Sequence, residues 1–141
     1  MRPWILPVIL SLNLTLHLAA EEKPKPHPID VRIEAAEEKA MSTAEQRDVQ
    51  SDAFKLWDAE MNRIYAKLKK RLKPATFSAL QVAQRDWLKY RDSQEKFLDE
   101  LYQGFQGTMY IPMHAAAVKE ITRARALELT HLLEIHDEAG E

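Results

Sequence analysis

Residues 54–72, FKLWDAEMNRIYAKLKKRL, decide the fold. Phe54, Trp57, Met61, Ile64, Leu68 and Leu72 recur at steps of three and four, the period that turns one side of an α-helix toward a core. Upstream, Ser42 and Thr43 introduce the segment, and Thr43 with Gln46 has the spacing of a capping box. Downstream, Pro74 stops the helix and suits the first turn of the next one. There Leu80, Ala83, Trp87, Tyr90, Phe97 and Leu101 keep the same period, with Gln94 as a polar intruder. So few residues separate these two helices that they should pack antiparallel.

Working outward, residues 104–112, GFQGTMYIP, hold two of the chain's three glycines and read as a shaped turn. A third long helix is expected from Pro112 to His136, with Val118, Ile121, Leu129, Leu132 and Leu133 facing inward. Toward the N-terminus, Ile29, Ile33 and Ala36 fall at helical spacing behind Asp30, which predicts a short helix over 29–40. The expected architecture is all-α: an antiparallel helical bundle of three long helices plus a short N-terminal one. It occupies residues 29–136, and 137–141 should fray. A chain of 141 residues that is 45% hydrophobic fits one such domain, and three glycines are too few for a turn-rich β fold.

The first twenty residues differ in kind. Arg2 supplies one positive charge, Ile5 to Leu18 is mostly apolar, and Ala19-Ala20 precede Glu21-Glu22, the order of a secretory signal peptide. Pro7, Asn13, Thr15 and His17 interrupt a stretch already shorter than the roughly 20 residues a membrane-spanning helix needs. Residues 21–28, EEKPKPHP, place three prolines at alternate positions and read as an extended tether. Removing 1–20 takes away Arg2 and no acid, leaving 19 bases against 22 acids, a balance of -3. The absence of cysteine excludes disulfides, thiolate chemistry and a lipid-modified cysteine. The location expected is periplasmic or secreted, with no stable membrane insertion after cleavage.

Little in the chain points to catalysis, metal or cofactor. His17 leaves with the leader and His27 lies in the tether. His131 and His136 are five apart, which does not set them on one helix face as a metal pair requires. No nucleophile elbow or glycine-rich phosphate loop occurs, and the spacing of Asp58, Glu60 and Asp92 gives no support to a hydrolase. The basic run at 67–73, KLKKRLK, sits in the last turns of a helix, where it complements the helix dipole. Without interleaved aromatics it gives no reason to expect nucleic acid. More specific is a polar set beside the apolar stripes: Asp58, Asn62 and Tyr65, then Gln84, Arg91 and Asp92, then Thr122 and Arg125. These are expected to meet in an interhelical hydrogen-bond network that fixes helix register. Phe105, Met109 and Tyr110, in the shaped turn, are the candidate anchors for a partner.

At these residues the sequence resembles the N-terminal domain of the LprI-like lysozyme inhibitors, small exported bacterial helical proteins. The resemblance rests on HPID at 27–30, STA at 42–44, WDAEMNRIY at 57–65, AQRDWLKYRD at 83–92, QGTMYIPM at 106–113 and TRARALEL at 122–129. It implies an extracytoplasmic helical domain and, for the member that gives the family its name, inhibition of lysozyme. It also implies cysteines where this chain has Val49, Glu95 and Ala117, so a disulfide tying the second and third long helices is missing. Membership transfers fold and location better than activity.

Two functions are therefore expected. One is a non-enzymatic binding protein that meets a basic partner, lysozyme first, through the 103–110 turn or an acidic helix face. The alternative is an envelope structural or maintenance protein, or an immunity-type binder, without a lysozyme partner. Exposed apolar area on the third long helix would favour oligomerisation and a polar outer face a monomer. Intact mass of the chain recovered outside the cytoplasm should correspond to an N-terminus at Glu21; a mass that retains residues 1–20 would overturn the leader reading.

Overall fold

The computed structural model describes residues 25–140. Four helices account for nearly all of them: α1, Pro28–Glu37; α2, Thr43–Arg71; α3, Pro74–Gln103; and α4, Tyr110–Glu138. No strand occurs among the described residues, as the helical periodicity predicts. The stretch expected to be a leader and half of the expected tether, residues 1–24, lie outside the described residues. The helix ends shift slightly from expectation. The short helix begins at Pro28 and ends at Glu37, α4 begins at Tyr110, and it continues through Asp137 and Glu138.

The closest pair is α2 with α4. Trp57, Met61, Ile64 and Leu68 from α2 are buried against Ala126, Leu129 and Leu133 from α4. These two helices run parallel. Arg71, at the end of α2, meets Asp137 near the end of α4 at 3.3 Å, while the N-terminal parts of both helices line one cleft at the opposite pole. Helix α3 therefore has to carry the chain back, and at 30 residues it matches the 29 of each partner. Only Leu72 and Lys73 separate it from α2, with Pro74 in its first turn as the sequence predicts.

Helix α3 runs antiparallel to α2 but splayed from it, and no α3 residue is buried. The stripe read as one face divides in two. Leu80 and Trp87 pack against the core, whereas Ala83, Tyr90, Phe97 and Leu101 are exposed, because they sit about 40–100° around the helix from the first set. On α4, Leu129 and Leu133 are buried, Val118 and Ile121 are half-buried, and Leu132 faces solvent. Exposed apolar area is therefore more continuous on the second long helix than on the third.

Helix α1 is docked rather than tethered. His27 caps it, its Nδ1 accepting from Ile29 N at 3.2 Å, and the ring stacks on Trp57 at 4.6 Å. Asp30 accepts two hydrogen bonds from Arg123 of α4, at 2.9 and 2.8 Å. At the other end Gln50 of α2 donates to Glu37. His27 thus belongs to the domain, where a sequence reading that leans on the neighbouring prolines assigns it to the tether.

The capping box of α2 uses Ser42 and Glu45, one residue ahead of the Thr43–Gln46 pair. Ser42 Oγ accepts from Glu45 N, and the Glu45 carboxylate accepts from Ser42 N at 2.9 Å and Met41 N at 2.8 Å. Glutamate closes the box better than glutamine because its acceptor is charged. Those backbone bonds, from Ser42 first and Met41 second, hold the Glu45 carboxyl below its ordinary value. A depressed folded value means stability that is present above the ordinary glutamate range and lost as pH falls through the depressed value. Amide protection factors in the first turn of α2 should therefore fall on acidification more than in its centre, and Glu45→Gln should remove that difference.

Candidate functional site: an aromatic cleft at one pole of the bundle

Where α2 and α4 begin and α3 ends, the helices enclose a cleft of about 570 Å³. Tyr102 closes α3, the chain turns through Gly104–Met109, and Tyr110 opens α4. Gly107 adopts φ +116°, a left-handed conformation that a side chain would strain, so this glycine shapes the turn. The result is a run of rings along one wall. His114 lies 5.4 Å from Tyr102, Tyr102 5.5 Å from Phe105, and Phe105 4.9 Å from Tyr110. Phe54, Ile111 and Val118 add aliphatic and aromatic lining from α2 and α4.

Charge is confined to the rim. Asp99 and His114 approach to 2.9 Å, without the alignment of a hydrogen bond. Arg47 and Lys55 stand on the α2 side, and each is engaged by a neighbouring acid, Asp48 at 2.6 Å and Asp52 at 2.8 Å. The surrounding field is acidic. Residues 34–55 and 92–117 hold ten acids against four bases, whereas 60–89 hold two acids against eight bases. Four acids near the end of α4 offset part of the second excess, so acids outnumber bases at the cleft pole, although the charged side chains lining the cleft itself are Arg47, Lys55 and Asp99.

Of the three candidate anchors, Phe105 and Tyr110 line this cleft and Met109 does not, although Met109 is exposed. Tyr102, His114 and Phe54 are additional lining residues that sequence reasoning missed. Tyr102 precedes Phe105 by three positions and His114 follows Tyr110 by four. Those helical intervals on either side of the glycine turn are the signal that was available.

The polar set divides into two groups on either side of Trp87. Arg125, 8% exposed, donates to Gln84 at 3.0 Å and to Glu128 at 2.8 Å, and Gln84 Nε2 reaches Met61 Sδ at 3.6 Å. Arg91 approaches Asp58 at 3.8 Å, Glu95 at 3.6 Å and Asp92 at 3.2 Å, and Asn62 donates to Asp58 at 3.1 Å. Both guanidinium groups lie over the Trp87 ring, at 5.9 and 5.5 Å. Tyr65 and Thr122 join neither group: Tyr65 packs on Phe77 at 5.5 Å while lining the cleft between α2 and α3, and the buried Thr122 Oγ1 has no hydrogen-bond partner, against the expected network. Between α2 and α3 the second group borders a polar cleft of about 550 Å³. No group of three histidine, aspartate or glutamate side chains among the described residues is placed to hold a metal ion.

Fold and cleft together define a small all-helical domain with an open apolar pocket at one pole. Residues 34–129 match the family described as "Lysozyme inhibitor LprI", and the chain belongs to that family. The matched span holds α2, α3 and most of α4; the HPID stretch at the start of α1 precedes it. The chain is also similar to an uncharacterized protein from Burkholderia thailandensis known from its crystal structure, with 28% identity and a TM-score of 0.75. That similarity covers 81% of this chain and 57% of the other, so this chain spans somewhat over half the length of that relative. No curated protein matches the chain.

The two polar groups differ in what they hold. Removing Arg125 leaves the Gln84 carbonyl oxygen without its guanidinium donor beside a buried seam, so Arg125→Ala should cost about 1–3 kcal/mol in denaturant unfolding. Arg91 makes longer and more solvated contacts, and Arg91→Met should cost under about 1 kcal/mol. An equal cost for both would contradict this division.

Proposed function

We propose that this protein is an exported, non-enzymatic binding protein that inhibits lysozyme, and that the cleft pole is its contact surface. The observation that carries the reading is the cleft itself: an open apolar pocket with aromatic walls at an end of the molecule where acids outnumber bases. Membership of the LprI family supplies the partner class. Lysozymes are commonly basic, and an acidic pole orients a basic partner toward the pocket before contact. Phe105 and Tyr110 then offer rigid, amphipathic area at small entropic cost.

Inhibition in this reading is occlusion: the bundle end covers the enzyme's substrate-binding surface and performs no chemistry of its own. The sequence of residues 1–20 supports export, where a wall-degrading enzyme would be met. No described helix is long and apolar enough to cross a membrane.

Titration of the exported chain into a lysozyme cell-wall lysis assay tests the proposal. Saturable inhibition is expected, weakening as salt is raised because the steering charges are exposed. Phe105→Asp should weaken it by tenfold or more, with Met109→Asp, outside the cleft, as the comparison. Unchanged lysis with several lysozyme types would contradict the assignment.

A further inference from the structure

The groove between α2 and α3 is separate from the aromatic cleft, and the two share no lining residue. Two contacts across it set its register: Arg91 with Asp58 at 3.8 Å, and Gln84 Nε2 with Met61 Sδ at 3.6 Å. Asp58 and Arg91 therefore stand at one end and Tyr65 and Gln81 at the other, while Asn62 and Arg85 enter from opposite walls between them. Met61 and Leu88 supply apolar surface. At about 550 Å³ the space lies in the range of small-ligand sites.

Much of the hydrogen-bonding capacity around this groove is unused within the protein. Arg85 is exposed and makes no hydrogen bond or ion pair among the described residues, and its neighbour Asp86 is already held by Lys89 at 2.8 Å. The Tyr65 hydroxyl and the Gln81 amide also have no side-chain partner among the described residues. Gln84 Nε2 meets only a thioether, a weak acceptor. Asp58, by contrast, is balanced by Arg91 and accepts from Asn62 Nδ2 at 3.1 Å. Two guanidinium groups thus line the groove against one carboxylate, and the uncompensated charge is that of Arg85.

We propose that this groove binds an acidic saccharide of disaccharide size, with its carboxylate or phosphate on Arg85 and its hydroxyls on the side-chain amides and Asp58. The walls select that class. Vicinal hydroxyls need a donor and an acceptor side by side, which Asn62, Gln81 and Gln84 each carry in one planar amide. The C–H faces of a sugar ring need apolar surface, which Leu88, Met61 and the Tyr65 ring provide. A guanidinium group matches a carboxylate or phosphate with two parallel hydrogen bonds. An apolar ligand would leave the amides without partners, and a simple anion would engage Arg85 alone. Occupancy leaves the aromatic cleft open, so this site does not depend on the lysozyme reading.

Backbone-amide NMR titration of the full chain, purified as the cell delivers it, tests the proposal with four probes: a glucuronate-terminated disaccharide, a phosphate-bearing disaccharide, the neutral disaccharide and inorganic phosphate. At least one acidic disaccharide should bind with a Kd of about 10 µM to 1 mM, shift amides around Asn62 and Arg85, and exceed the neutral one tenfold or more. The tighter of the two acids identifies the anionic group. Arg85→Gln should erase that preference with helicity unchanged, since the side chain is exposed, whereas Lys96→Gln, exposed on the same helix outside the groove, should not. The proposal is overturned if neither acidic disaccharide binds up to about 10 mM. Equal affinity for the neutral disaccharide, inorganic phosphate binding as tightly as the sugars, or indifference to Arg85→Gln would each overturn it as well.

Discussion

Trp57, Met61, Ile64 and Leu68 on α2, and Thr122, Ala126, Leu129 and Leu133 on α4, repeat at the same intervals of four, three and four residues. Two parallel helices with matched intervals can interleave along a continuous seam, and each fully buried large side chain there contributes about 1.5–3 kcal/mol. The rest of the molecule adjusts to that seam. A parallel pair joined in one chain needs a return of equal length, so α3 is long because α2 and α4 are. Its own burial is secondary, since its two ends are fixed by a two-residue link and a glycine turn. Helix α1 closes the remaining side of Trp57, whose ring lies between His27 and the Arg123 guanidinium that also grips Asp30.

From this construction the clefts follow. A return helix held mainly by Trp87, Gln84 and the arginines around them stands off from α2, and the gap opens as a polar groove along its middle. At the pole the gap is lined instead by rings, because the glycine turn brings Phe105 back onto Tyr102 and Tyr110. Along its length α3 is joined to α4 at two separated points, through the Gln84–Arg125 and Asp99–His114 contacts.

Much of the fold was legible because helical period is a local property: the α2 stripe, the Pro74 break and the shaped 104–112 turn are each written in contiguous residues. Orientation was not. On α3, the intervals 80–87 and 90–97–101 satisfy the same period, and only the position of α4 decides which faces the core. The capping residue shifted from Thr43 to Ser42 because Glu45 can close the box with a charged acceptor, a choice between adjacent and equally plausible pairs. His27 was read with its neighbouring prolines although its ring packs on Trp57, a contact between residues thirty positions apart. The cleft was half visible: Phe105 and Tyr110 stand out beside the glycines, whereas Phe54 and Tyr102 look like ordinary core positions until the helices are assembled.

The claim that one seam carries the fold while α3 serves as a return strut is tested most directly by native-state amide exchange resolved by residue. Opening energies near the global value are expected for amides between Trp57 and Leu68 and between Thr122 and Leu133, with α3 opening at distinctly lower energy. Protection of α3 equal to that of α2 and α4 would contradict the account and make the bundle a single cooperative unit.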